Sequence, residues 1–141
     1  MKDSLLEKFK LSLYIILDPY FLGRDSLITT CKEITSGGAD IIQYRDKKAD
    51  NQIFLHNASL INDITKDKGI PLIINDRVDI ALEIGAEGIH LGTSDIPLSK
   101  ARELCGNDKI IGFSVHNMQE YKQSYPADYL GIGSIFPTSS K

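Results

Sequence analysis

The sequence predicts an α/β fold with a parallel sheet wound from repeated βα units, and three observations carry that prediction. Short apolar runs recur along the chain without the apolar/polar alternation of a sheet wet on one face. The intervals between them mostly carry helical spacing. The junctions also repeat: "GGADIIQYRD", "IGAEGIHLGTSD" and "YPADYLGIGS" each set Ala and an acidic residue directly before a strand, as when successive helix ends feed successive strands. A (β/α)₈ barrel leaves this trace, and a duplicated doubly wound unit would leave a similar one.

In chain order, the first strand is expected over 13–17. The segment before it places apolar residues after charges, but the run from Leu11 to Leu17 is too short to cross a bilayer, contains Ser12 and ends in Asp18-Pro19 rather than a small-residue cleavage site. It reads as a strand, so a cytoplasmic location is expected. Asp25 can cap a helix that ends near Gly37. Strands are expected at 40–44, 72–74, 88–91, 110–113 and 129–132, and helices at 58–68, 79–84, 99–104 and 117–124. In the helix at 58–68, Leu60, Ile61 and Ile64 are spaced along one face. No G-x-G-x-x-G follows the first strand, which argues against a dinucleotide fold. Six strands fall short of the eight that close a barrel, and such barrels take roughly 200 residues or more. The expectation is therefore a single, incomplete barrel domain over 1–141, a fragment supplying about six βα units.

The chain has 141 residues, 42% hydrophobic and 25% charged, enough for a real core. Its net charge of -3, with Lys and Arg scattered, offers no basic stripe for a nucleic-acid backbone. Cys31 and Cys105 lie far apart without metal-ligand spacing and read as reduced thiols.

The polar residues that look out of place sit where strands give way to loops. Gln43, Arg45 and Lys47 share a strand face with Ile41, and a core strand should not aim two cations inward. Asn75 and Asp76 follow the third strand, Thr93, Ser94 and Asp95 the fourth, Ser114 and His116 the fifth, and Thr138, Ser139, Ser140 and Lys141 the sixth. In parallel α/β folds the carboxyl ends of strands form one rim, so these residues converge there. Cations with hydroxyl and amide donors suit a phosphate-rich ligand. Asp76 and Asp95 would repel it unless a metal lies between, and two carboxylates with ligand phosphates and water are a usual way to hold Mg²⁺. The pattern implies a metal diphosphate, whose leaving-group charge the metal would neutralise. Individually, Asn75-Asp76 and Asp95 also read as turns and helix caps, Arg45 and Lys47 as surface ion pairs, and His56, His90 and His116 as structural.

With these residues laid out, the chain resembles thiamine-phosphate synthase, a (β/α)₈ barrel family, in "IIQYRDK", "LIINDRVDIALEIGAEGIHLGTSD", "IIGFSVHN" and "DYLGIGSIFPTSSK". The resemblance implies that hydroxymethylpyrimidine diphosphate is joined to thiazole phosphate with release of diphosphate. It implies that Gln43, Tyr44, Arg45, Asp46, Lys47, Asn75, Ser114 and Lys141 contact the pyrimidine diphosphate. Asp76 and Asp95 would ligate Mg²⁺, and Thr138, Ser139 and Ser140 would hold the thiazole phosphate. Ser140 stands where a threonine is common, and loops of two further strands would complete the thiazole-phosphate pocket. No acid/base residue or nucleophile is demanded. The implied partners are small molecules, with neither nucleic acid nor membrane, and homo-oligomerisation is left open. Two rivals stand beside this reading: a thiazole tautomerase of the same fold, which would place histidine at Ser134, and a noncatalytic truncated barrel.

Overall fold

The computed structural model describes residue 7 and residues 13–136. Strands β1 (Tyr14–Leu17), β2 (Ile41–Tyr44), β3 (Leu72–Asn75), β4 (Gly88–Leu91), β5 (Ile110–Val115) and β6 (Tyr129–Ile132) lie side by side in that order. Every neighbouring pair is parallel. A doubly wound sheet reverses its strand order at a switch point. Here each crossover advances one place in the same direction, so the six strands form an arc of a (β/α)₈ barrel.

Between the strands run α1 (Pro19–Leu22), α2 (Leu27–Ser36), α3 (Asn51–Lys68), α4 (Val78–Glu83), α5 (Leu98–Cys105) and α6 (Met118–Lys122). The main core lies between sheet and helices, where Leu17, Ile42, Tyr44, Leu72, Ile74, Ile89, Leu91, Ile111, Phe113 and Val115 meet the buried faces of α2 to α5. The residues alternating with these point into the lumen. There Ile41, Ile73 and Ile110 form a small apolar plug, with Tyr14 and Tyr129 packed against it. Above the plug the inward positions turn polar, with Gln43 on β2, Asn75 on β3 and His90 on β4 all buried. This layering is the period-2 geometry of a strand covered on both faces by unlike surroundings.

Two local expectations are corrected. Asp25 does not cap the first long helix: it lies in a 3₁₀ turn (Arg24–Ser26), and Ser26 is the N-cap without a side-chain capping bond. The chain leaves α1 through Gly23 at φ 80° and enters that turn directly, and the Ser26 hydroxyl donates back to the carbonyls of Gly23 and Leu22. The second helix begins at Asn51 rather than at 58, because Asp50 caps it by accepting from the Ile53 amide at 2.8 Å. Phe54, Ala58, Ile61 and Thr65 then define its buried face, and Leu60 turns partly outward. Strand β3 extends to Asn75 and β5 to Val115, each carrying one more inward polar residue than expected, Asn75 and Ser114.

Cys31 and Cys105 are buried, free thiols, and burial pushes the Cys31 thiol up to about 11, which keeps it protonated and unreactive. Among the described residues no helix is long and apolar enough to cross a membrane.

Helix α3 offers a test of what holds the arc together. The Phe54 ring is buried and lies 4.6 Å, centroid to centroid, from Tyr44 on β2. Phe54→Ala should cost about 3–5 kcal/mol, and Asp50→Ala on the same helix about 1 kcal/mol. Denaturant midpoints of the two variants should fall in that order; the reverse order would mean that capping, not the Tyr44–Phe54 contact, anchors α3.

Candidate functional site

The carboxyl ends of the strands open onto a cavity of about 610 Å³. Its floor is a chain of hydrogen bonds crossing the lumen. Gln43 Nε2 donates to the Tyr14 hydroxyl at 2.7 Å, and the Tyr14 and Tyr129 hydroxyls are 2.8 Å apart. Tyr129 Oη lies 2.9 Å from His90 Nδ1, and His90 Nε2 lies 2.9 Å from Ser114 Oγ. Strands β1 and β6 are not neighbours in the sheet, so the tyrosine pair joins the two ends of the arc through its interior. Burial raises the pKa of both phenols, most strongly that of Tyr129, which keeps them neutral.

One glycine makes this floor sterically feasible. A Cβ at Gly112 on β5 would stand 2.2 Å from the Tyr129 ring and 2.5 Å from His90 Nδ1. The residue facing the lumen between Ile110 and Ser114 therefore has to lack a side chain.

At the mouth, charged groups from successive strand ends gather. Lys47 is ion-paired with Asp76, and Asp76 lies against Asp95. Asp76 follows β3 in the left-handed region, at φ 62°, a conformation that Asp and Asn tolerate better than most residues. Its amide donates to the His90 carbonyl at 2.9 Å, tying the mouth to the floor. The Asp95 carboxylate accepts from the Gly92 amide at 2.7 Å, which closes the loop after β4 and turns the side chain toward Asp76. Burial holds the Asp95 carboxyl above its ordinary range, and the neighbouring Asp76 charge adds to that, while the Gly92 amide and Lys47 oppose it. On the other side, Arg45 is paired with Asp18 at the end of β1, and Asp18 is itself fixed by accepting from the Tyr20 amide at 2.9 Å.

Of the residues singled out in the sequence, Gln43, Arg45, Lys47, Asn75, Asp76, Asp95 and Ser114 all line this one cavity. Tyr44 and Asp46 do not. The alternation of β2 puts Tyr44 under α3, fully buried against Phe54. The buried Asp46 carboxylate accepts from the Lys48 and Ala49 amides at 2.9 and 3.0 Å, which shapes the loop carrying Lys47. Thr138, Ser139, Ser140 and Lys141 lie outside the described residues.

The capping alternatives for the acidic residues do not hold. Arg77 and Pro97 are the N-caps of α4 and α5, and neither helix has a side-chain capping bond. His116 lines the cavity edge but is braced by Glu120, which accepts from its amide at 2.7 Å and meets its ring at 3.0 Å.

The structure adds Tyr14, Tyr129, Asp18 and His90 to the site. For His90 a sequence signal existed: Gly88 and His90 alternate on the inward face of β4, so the single large inward side chain on that strand is an imidazole. For the tyrosines there was none, because an aromatic residue within a strand reads equally well as core.

Asp76 and Asp95 are the two carboxylates of the mouth that could face a cation; no group of three or more His, Cys, Asp or Glu able to hold a metal exists among the described residues. Two carboxylates held side by side, one with its pKa raised partly by the other, fit a hard divalent ion whose remaining ligands come from a bound molecule and water.

Arc, floor and mouth together define a (β/α)₈-type barrel protein with a polar cavity at the carboxyl ends of its strands. The chain belongs to the thiamine monophosphate synthase family, whose pattern it matches over residues 13–141. It is 47% identical over 131 residues to the thiamine-phosphate synthase of Halalkalibacterium halodurans and 45% identical over 131 residues to that of Clostridium acetobutylicum. Each match covers 92% of this chain and 62% of the relative, so the chain spans less than two thirds of their length. The solved thiamine phosphate pyrophosphorylase of Pyrococcus furiosus superposes with a TM-score of 0.80 at 35% identity, over 92% of this chain and 63% of that one.

The crowding of the two acids has a measurable consequence without any cation. The Asp95 carboxyl titrates above the 3.8 of an ordinary aspartate, so the folded state holds that proton more tightly than the unfolded chain. Stability contributed by the protonated form is present at low pH and is lost as pH rises above 3.8 through the raised value. Asp95→Asn, which can still accept from Gly92, should remove that loss and stabilise the metal-free protein at neutral pH by less than about 1 kcal/mol, given partial solvent screening. It should change little at pH 3. Thermal melts with chelator at both values check the sign.

Proposed function

We propose that the chain carries the pyrimidine half of a thiamine-phosphate synthase site: Mg²⁺-dependent transfer of the hydroxymethylpyrimidine group from its diphosphate to thiazole phosphate. The observation that carries this reading is the placement of Asp76 and Asp95 together, with Lys47 and Arg45 beside them, above a polar, ring-sized cavity. Among the described residues, Arg45 and Lys47 face three carboxylates, Asp18, Asp76 and Asp95, so these five side chains sum to a net negative charge that would repel a diphosphate. Asp76 and Asp95 would hold a divalent cation that reverses that sign.

When bound, Mg²⁺ supplies charge neutralisation for the departing diphosphate. The protein's own residues do the remaining work. Lys47, Arg45 and the Asn75 amide donate to diphosphate oxygens, holding the leaving group against the mouth while the C–O bond lengthens. Gln43 and Ser114 hold the pyrimidine over the floor so that its exocyclic carbon faces the incoming thiazole nitrogen. The cation left by diphosphate departure is captured by that nitrogen's lone pair, so no proton has to be removed and no nucleophilic side chain is used. Thr138, Ser139, Ser140 and Lys141 would complete the binding of the two phosphorylated substrates. Within this reading the protein works on small molecules in the cytoplasm, where the Cys31 and Cys105 thiols stay reduced. Serine at position 134, where the tautomerase reading asks for histidine, supports the transferase.

Calorimetric titration with hydroxymethylpyrimidine diphosphate should show binding that requires Mg²⁺. Asp76→Asn keeps the left-handed backbone accessible, so it should weaken Mg²⁺-dependent binding by about tenfold or more while shifting stability by less than about 1 kcal/mol. A folded chain that binds no pyrimidine diphosphate with or without Mg²⁺ would sink the assignment in favour of the noncatalytic barrel.

A further inference from the structure

We propose that Asp18, at the end of β1, is a positioning residue for anion binding: it holds the Arg45 guanidinium at the cavity wall, so that the planar fork meets the diphosphate already oriented. This role deepens the synthase reading and rests on it only for the identity of the anion.

The hold on the guanidinium is built from β1. Asp18 is buried and divides its carboxylate oxygens between two donors: Oδ1 accepts from the Tyr20 amide at 2.9 Å, and Oδ2 is paired with Arg45 Nη1. The first bond fixes the plane of the carboxylate, and the second carries that orientation to the guanidinium. The backbone of Arg45 is tied to the same strand, its amide donating to the Leu17 carbonyl at 3.1 Å. Both ends of the Arg45 side chain are therefore referred to the end of β1, in a residue that lines the cavity.

Burial decides that this pair, rather than Lys47–Asp76, is the preset one. The side chains of Arg45 and Asp18 are 24% and 5% exposed, those of Lys47 and Asp76 52% and 20%. An exposed pair is screened by water and costs side-chain entropy to hold, whereas a buried carboxylate that lost its cation would be left uncompensated. Arg45 thus stays where Asp18 puts it, while Lys47 adapts as a flexible point charge. Presetting suits a guanidinium, whose flat fork makes parallel hydrogen bonds to a phosphate only in one orientation. A fork fixed in advance also spares the cost of freezing its rotamers on binding. As a bare charge Asp18 would oppose an anion, and as a positioning residue it favours one, so the two roles predict opposite signs.

Asp18→Asn keeps an oxygen for the Tyr20 amide and removes the charge that faces Arg45, and Asp18→Ser is a second variant that retains a capping oxygen. Calorimetric titration with magnesium and inorganic diphosphate should show each variant binding about fivefold or more weakly than the unsubstituted chain. Equal or tighter binding overturns the proposal, since it leaves Asp18 only its charge. In an Arg45→Gln background Asp18→Asn should cost no affinity, because no guanidinium is left to hold; the same loss there overturns the proposal as well. Guanidinium ¹⁵N NMR without ligand, with Arg45 assigned as the signal that Arg45→Lys removes, should give separate Nη signals in the unsubstituted chain that average together in Asp18→Asn. Averaged Nη signals already in the unsubstituted chain overturn the proposal even if neither Asp18 variant folds. Separate signals that Asp18→Asn merges, in a chain that binds no diphosphate, keep Asp18 as the residue that positions Arg45 and count against the synthase reading alone.

Discussion

Everything in this structure follows from covering a curved parallel sheet with helices on one face only. The outward residues of each strand are sealed under helices and can be uniformly apolar. The inward residues converge on a narrow lumen, where a few side chains suffice to fill the bottom and the rest must satisfy one another or a ligand. Ile41, Ile73 and Ile110 take the bottom position. One step further toward the carboxyl ends, polar groups are buried without helices to pair with, and they answer one another across strands. A lumen built this way cannot be both polar and indifferent to what enters it.

Floor and mouth solve different electrostatic problems in one space. The floor carries no formal charge: amide, two phenols, imidazole and hydroxyl are linked by contacts of 2.7–2.9 Å, suited to a neutral, flat, hydrogen-bonding body. The mouth carries opposed charges held close, with Lys47 between carboxylates and Arg45 committed to Asp18. The Asp76–Asp95 contact disfavours ionising both, and in the proposed function added positive charge would relieve it. The ligand of the proposed function, with a flat heterocycle at one end and a metal-bearing anion at the other, would satisfy both regions at once. Neither region specifies that combination alone.

How much of this the sequence disclosed depends on how local each feature is. The strands were legible from apolar runs, and the inward set Gln43, Arg45, Lys47 from parity on β2, because both are properties of consecutive residues. The same parity sends Tyr44 and Asp46 to the far side of β2, against a contiguous binding segment. Helix α3 begins at Asn51 rather than at 58, because the expected face of Leu60, Ile61 and Ile64 marks only its later turns while Asp50 caps its start. Asp95 looked like a helix cap because Pro97 follows it, but its carboxylate is drawn inward by the Gly92 amide, a contact that no spacing rule encodes. The meeting of Tyr14 with Tyr129 was beyond reach: residues 115 apart in sequence are joined through the lumen only because the arc has a particular curvature.

That curvature links architecture to chemistry. Strands β1 and β6 share no ladder, and the Tyr14–Tyr129 contact bridges them over the bare surface of Gly112. Widening the arc would part the phenols, and narrowing it would drive Tyr129 into β5. The hydrogen-bonded floor is therefore also a gauge of lumen width, and the mouth inherits its dimensions, because the Asp76 amide is anchored on the carbonyl of His90. A substitution on the floor should for that reason be felt at the acidic pair through a backbone hydrogen bond rather than through space. Polar groups in this lumen hold the scaffold to the spacing at which they can act on a ligand.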